Sequence, residues 1–403
     1  MNGTGDEFDD GGLYVFSWIE ITLLCLLYAV IAFLGFVGNM LVVIITITRL
    51  RTRSITTYFI INLAIADLLT ALLAIPFKFQ AALFQVWHLP RSLCHVVPYV
   101  ETVSLSVSVF TLTASAIHEF RTVFFPKQIR MNTNNARILV ISIWFFALFV
   151  SIPHGIFHEV TEFPIGENRT VAQCIPTVGE TSWWKIYNIY LVMIQFFIPM
   201  IILDTAYTMI ACQIYSSTHQ LNERSNLNGP PSQNVVANKQ LMKMLMIVVL
   251  CFTLCWAPLE TYLALNEVYG EVNEWHYINV FFFFSHWLAM SNSCLNPIIY
   301  WFFNAKYKRE FTRIFYCLRY GRIDTDVTMK FDTELESAMV DSTKQKSLNI
   351  NDLPSSPRSW LSPIDASSEE GSIGVPFYSE TYQTMSNGTP KIQHSISCSS
   401  KLL

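Results

Sequence analysis

The sequence predicts an all-α membrane protein, a seven-transmembrane helix bundle followed by an amphipathic eighth helix. Three observations carry that expectation. Of 403 residues, 52% are hydrophobic and only 14% charged, against about 25% charged in soluble domains. Seven stretches reach the ~20 mostly apolar residues that a spanning helix needs. The connections between them alternate between basic and acidic, as the positive-inside rule requires.

The seven spans fall at residues 19–48, 56–84, 95–124, 138–158, 185–215, 240–266 and 276–302. Gly38, Pro98, Pro153, Pro199, Pro258 and Pro297 lie inside them. They do not argue against helices, because packed neighbours satisfy the backbone groups that such residues free. Arg49, Arg51 and Arg53 follow the first span, Arg121, Lys127, Arg130 and Arg137 separate the third from the fourth, and Lys306, Lys308, Arg309 and Arg313 follow the seventh. These connections are expected in the cytoplasm. The opposite side carries Asp6, Asp9, Glu159, Glu162, Glu167, Glu180, Glu267, Glu271 and Glu274. The N-terminus is therefore expected outside the cell, at the plasma membrane, and the C-terminus inside.

Four regions follow: an extracellular segment 1–18, the seven-helix domain 19–303, a membrane-surface helix 304–317 and a disordered tail 318–403. The first residues are acidic, which predicts no cleavable signal peptide and a first span that is its own anchor. Residues 304–317 alternate basic and aromatic faces and read as a helix on the inner leaflet. Cys317 at its end is either a palmitoylation site or a plain thiol. The tail is rich in Ser, Thr and Pro without periodicity. The sequons at Asn2 and Asn168 fall outside and are glycosylation candidates, whereas that at Asn387 falls inside.

Most of the nine cysteines sit in apolar stretches and read as small buried hydrophobes. Cys94 and Cys174 lie in polar segments between spans and are candidates for one bridge. A net charge of −4 without a basic run gives no support to a nucleic-acid partner. The sequence carries no metal-ligand cluster, nucleophile elbow or phosphate-cradling loop of an enzyme. It also lacks the internal repeat that a transporter, the competing class of membrane protein, would show.

Asp67 lies mid-membrane in the second span. A carboxylate there costs about 2.5–3.5 kcal/mol or more unless it has partners. Asn39, Ser108, Asn292 and Asn296 are the polar candidates in other spans. They frame either a hydrated sodium ion or a hydrogen-bonded water cluster.

Gly38-Asn39, Leu63-Ala64-Ile65-Ala66-Asp67, Trp144, Phe252-Thr-Leu-Cys255-Trp256-Ala-Pro258 and Asn296-Pro297-Ile-Ile-Tyr300 resemble the rhodopsin-like family of G-protein-coupled receptors. The resemblance runs over residues 17–317 and touches every span. It implies a receptor that signals to a heterotrimeric G protein and to arrestin. It implies a pivot at Trp256, Pro258 and Phe252, switch positions at Asn296 and Pro297, and inward movement of Tyr207 and Tyr300. It also implies a sodium pocket of Asp67, Ser108, Asn292 and Asn296, and a Cys94–Cys174 bridge that pins the second outer loop. Residues 160–183 alternate as the hairpin lid of such receptors does.

The stretch Val96–Thr113 looks like the neuropeptide Y, neuropeptide F and RYamide receptor group, whose ligands are short peptides with an amidated Arg-Phe or Arg-Tyr end. By that resemblance Glu267 pairs with the peptide arginine. Glu101, His286 and Lys78 also match pocket positions, and Lys78 would repel an arginine unless Glu101 neutralises it. An aminergic receptor holding an ammonium on Glu101 is the alternative. An opsin is not, since residues 276–302 contain no lysine and Met290 stands at the expected position.

One departure stands out. The family's acid–Arg–Tyr triplet is replaced by His118-Glu119-Phe120. Arg121 is near, but two residues place it about 200° around the helix. Glu119 is expected to pair with Lys239 or Lys243 in a lock of inverted polarity. The competing expectations are impaired coupling, or coupling preserved because helix opening creates the docking cleft.

Overall fold

The structure, a computed structural model, describes residues 16–50, 54–127, 131–165, 169–228, 233–275 and 277–320; side chains at 49–50, 165, 169, 217–239, 270, 274 and 317–320 lie outside that description. The expectations at Asn2, Asn168, the Lys239 side chain, the Cys317 side chain and the tail beyond residue 320 therefore fall outside the described residues.

The first helix, Trp18–Ile45, opens on a capping box in which Ser17 and Glu20 satisfy each other's backbone N–H groups at 3.3 and 2.8 Å. It widens into π-helical Thr46–Leu50. The second helix, Ile55–Phe84, starts on a Ser54 cap and is widened at Thr70–Ala74. The third is Arg91–Phe124 and the fourth Thr133–Phe157, the latter capped by Asn132. Strands β1, His158–Ile165, and β2, Arg169–Pro176, form an antiparallel hairpin with Val160 opposite Cys174. The fifth helix runs through Ser182–Val192, the π-helical turn Met193–Phe197 and Ile198–Asn228. The sixth is Gln233–Val268, the seventh Ile278–Phe303 and the eighth Ala305–Tyr320.

Two of the widened turns have one cause. Pro76 and Pro199 lack an N–H, and their rings crowd the carbonyls four residues back, so the ladder loosens just upstream. Several helices outrun the apolar spans: the sixth begins at Gln233 and the fifth reaches Asn228. Backbone hydrogen bonding does not stop at the edge of a hydrophobic window, so helix ends extend into water where sequence permits.

Outward-facing Phe33, Phe145, Phe149, Ile201, Leu254 and Phe302 leave an apolar belt around the bundle, which only a lipid solvent accommodates. Among the described residues, six helices are long and apolar enough to cross a membrane. The seventh is less apolar because Ser285, His286, Ser291, Asn292, Ser293 and Asn296 are buried along it. It packs against the first and sixth helices and turns those groups inward.

The Cys94–Cys174 bridge forms and pins the hairpin to the third helix. The Trp87 N–H donates to the Ala172 carbonyl at 2.7 Å and holds the same edge. Lower in the bundle, the Trp144 indole donates to Asn62, which donates to Thr111, both at 2.7 Å; this chain joins the fourth, second and third helices. The eighth helix buries Tyr307, Glu310 and Phe311 and exposes Lys306 and Arg309, the i, i+3, i+4 pattern of an amphipathic helix. Tyr307 meets the Thr46 hydroxyl at 2.7 Å. Residues through Thr312 form one compact unit.

Gly38 is a contact point, not a hinge. A Cβ there would lie 2.9 Å from both Cβ and Cγ of Pro297, and a proline ring cannot swing away. Gly38→Ala is expected to lower the stability of the detergent-purified protein by about 1–3 kcal/mol, read as a drop in thermal unfolding midpoint. An unchanged midpoint would show that the first and seventh helices are not held at this distance.

Candidate functional site

A cavity of about 340 Å³ opens beneath the hairpin end of the bundle. Its walls come from the second to seventh helices, and Lys78, Glu101, Glu267, His286 and Trp256 all line it. The four ligand-binding residues expected from sequence are thus brought together over one floor. Lys78 reaches the cavity because the wide turn at Thr70–Ala74 shifts the phase of the helix that follows.

The acids are held differently. Glu101 meets the Lys78 ammonium at 2.7 Å in a partly exposed pair, so Lys78 is neutralised as the sequence required. Glu267 accepts the Asn188 amide at 2.7 Å. A third acid, Glu260, lines the same cavity and is buried at 3% exposure. No hydrogen bond or ion pair reaches it from the described residues.

His286 is placed by the Tyr28 hydroxyl at 2.8 Å and by Phe282, stacked at 5.7 Å. The Gln195 amide donates to Ser106 at 2.7 Å and fixes the fifth helix to the third. At the floor, Trp256 lies stacked over Phe252 at 6.0 Å, and its indole N–H has no acceptor among the described residues.

Glu260, Asn188, Gln195, His154 and His158 were not anticipated. Glu260 carried a usable signal, since it is an acid inside an apolar span, as Asp67 is. The others are common polar residues whose role appears only when helices meet. His158, just past the fourth helix, stacks on His154 at 5.3 Å and donates its Nδ1–H to the His154 carbonyl at 2.9 Å. Burial, with the Lys78 charge second, lowers the His158 imidazole from 6.5 to about 4.

Below the cavity, Asp67 is 2% exposed and accepts the Asn296 amide at 2.7 Å. Asn39 donates to the Ser293 carbonyl at 2.7 Å, while its own side-chain oxygen is buried without a donor. Ser108 and Asn292 are buried too. One carboxylate, neutral oxygens and an orphaned acceptor are an oxygen-only donor set, which a hard cation such as sodium fits. Among the described residues, no group of three or more His, Cys, Asp or Glu is gathered as a transition metal would require.

At the opposite end, Glu119 is 3% exposed and accepts the Thr56 hydroxyl at 3.1 Å. Of the expected lock to the sixth helix, the Lys243 arm is corrected: Lys243 is exposed and the tie runs to the second helix, while the Lys239 side chain lies outside the described residues. A short hydroxyl from the adjacent helix satisfies the acid without the entropy of ordering a lysine. Arg121 is exposed on another face, as the helical angle requires. His118 sits edge-on to Phe59 at 6.4 Å and Phe120 packs on Phe124 at 4.6 Å. Tyr207 and Tyr300 are buried, and Tyr300 lies 5.6 Å from Tyr307.

Comparison with known proteins places this geometry. The family described as 7 transmembrane receptor (rhodopsin family) matches residues 38–300. The Tachykinin-like peptides receptor 99D of Drosophila melanogaster is 28% identical over 320 residues, covering 78% of this chain and 60% of that receptor. The Neuromedin-K receptors of Homo sapiens and Rattus norvegicus are each 26% identical, over 83% and 82% of this chain and 71% of theirs. The chain thus spans less than two thirds of the length of the fly relative.

The lowered His158 value has a signed consequence. Below about 6.5 the unfolded imidazole takes a proton that the folded one refuses until about 4. The contribution of neutral His158 is therefore complete above 6.5 and lost as pH falls through that window. Thermal midpoints measured between about pH 7 and pH 5 should fall less steeply for His158→Gln than for the parent. Parallel curves would show that His158 does not titrate differently on folding.

Proposed function

The chain belongs to the rhodopsin family of seven-transmembrane receptors, and from that premise we propose that it is a cell-surface receptor for a short amidated peptide with an Arg-Phe or Arg-Tyr end. It is a multi-pass protein of the plasma membrane, and its family is one of receptors rather than enzymes. The supporting observation is the cavity beneath the pinned hairpin, lined by acids from the third and sixth helices. A peptide end enters it between the helices, and a charge-assisted pair with a carboxylate gives the strongest single contact available in a partly dry site.

In this proposal the hairpin end faces outward and the Glu119 end faces the cytoplasm, following the basic connections. A heterotrimeric G protein and arrestin dock at that end, and the eighth helix lies on the inner leaflet with Cys317 as a lipid anchor. Asn2 and Asn168 carry glycans. Ligand contacts bias the bend at Trp256 and Pro258, which works only if the open state binds the ligand more tightly.

The aminergic alternative is weakened by one distance. An ammonium seeking Glu101 would have to displace Lys78, which already holds it at 2.7 Å. The names of the curated relatives favour a peptide, and they add peptides of tachykinin-like and neuromedin-K type to those worth offering.

Cells expressing the receptor are expected to answer an amidated Arg-Phe or Arg-Tyr peptide in a library read by both calcium and cyclic AMP. A response confined to monoamines would reverse the assignment, and one confined to tachykinin-like peptides would move it to another peptide class.

The Asp67 layer is proposed to hold sodium on Asp67, Ser108, Asn292 and Asn296. When bound, the ion supplies a counter-charge to Asp67. Sodium chloride should raise the thermal midpoint above that in an equal concentration of choline chloride, and Asp67→Asn should remove the difference. Equal midpoints in both salts for the parent would leave the layer as a water-filled network.

A further inference from the structure

The three acids of the cavity are not equivalent. Glu101 is matched by the Lys78 ammonium at 2.7 Å and Glu267 by the Asn188 amide at 2.7 Å. Glu260 has neither kind of partner among the described residues, yet it is 3% exposed and lines the cavity. An acid that faces a narrow, largely apolar cavity, with no donor or cation opposite it among the described residues, is costly for a fold to keep. It sits one helical turn above Trp256, on the same face of the sixth helix. The Trp256 indole N–H is also without an acceptor among the described residues. An unmatched acceptor and an unmatched donor thus share the cavity floor.

We propose that Glu260 is the seat of the ligand's cation, a guanidinium or an ammonium, at the bottom of the cavity. Glu267 and the Lys78–Glu101 pair then line the route to it. The proposal rests on the cavity being the ligand site, and it moves the anchoring acid from the rim to the floor. The ligand chemistry is an organic cation long or slender enough to pass the hairpin. Its source is either an arginine side chain near a peptide's amidated end or a small amine.

The test uses the full-length receptor purified in detergent, with thermal unfolding as the readout. The probes are Arg-Phe-amide, its neutral counterpart citrulline-Phe-amide, and tyramine. The parent is expected to be stabilised by a cationic probe and not by citrulline-Phe-amide. Glu260→Gln should weaken that stabilisation by at least about tenfold in apparent affinity, and Glu267→Gln by less. Without any probe, Glu260→Gln should unfold at a temperature no lower than the parent, because no partner of the acid is lost.

Equal stabilisation of parent and Glu260→Gln overturns the proposal, as does the lack of any cation-dependent shift in the parent. A lower ligand-free midpoint for Glu260→Gln overturns it too, since that shows a structural partner. Tyramine acting where Arg-Phe-amide does not, with the effect lost in Glu260→Gln, supports the cation site and identifies its source as an amine, so that only the peptide reading fails. Peptide signalling that survives undiminished in Glu260→Gln removes the cation site and leaves the peptide reading standing.

Discussion

A carboxylate has to be kept inside an apolar bundle, and much of the architecture answers to that. Asp67 holds Asn296 at 2.7 Å, which ties the second helix to the seventh. Asn39 reaches the seventh helix from the first at 2.7 Å. The seventh helix can serve both only by lying inside the bundle, with Ser291, Asn292, Ser293 and Asn296 buried along it. Gly38 lets it come close enough, because nothing but hydrogen occupies the space beside the Pro297 ring. In lipid the apolar faces gain little from each other, so such buried polar contacts and close backbone approaches carry much of the helix association.

The spans were legible because a membrane imposes length and apolarity together, and few soluble patterns satisfy both. Even the seventh was found, since interruption by polar groups did not break its run of Phe, Leu and Ile. The hairpin was legible from alternation, and Cys94 with Cys174 from their polar setting. The wide turns were not, because hydropathy has no term for an added residue per turn. Pro76 and Pro199 are the visible cause, but a proline is equally consistent with a kink. Partners were the least legible. Thr56 for Glu119 and Asn188 for Glu267 are ordinary polar residues on other helices, and only packing selects them. Glu260 lay within reach of the same rule that singled out Asp67.

The two ends of the bundle treat a buried acid differently. Glu119 is satisfied by a hydroxyl on its neighbour helix at 3.1 Å, so it joins the second and third helices in the conformation seen here. An arginine at this position would project a long cation toward the sixth helix. The acid instead draws its contact sideways, from Thr56 on the second helix.

At the cavity the pattern is reversed. Two of the acids are satisfied, and the most buried of the three, Glu260, has no donor among the described residues. Fold stability alone would not favour such a group, and a site that sacrifices stability is ordinarily one that needs the strained group for binding. Glu260 stands two residues beyond Pro258, on the sixth helix, where the missing proline N–H leaves the helix easiest to bend. A cation drawn to Glu260 therefore acts directly on the segment above the weak point, and Trp256 lies one turn below it. If matching that carboxylate is easier when the helix has bent, the ligand binds the bent state more tightly, and that difference in affinity is the whole of its power to shift the equilibrium.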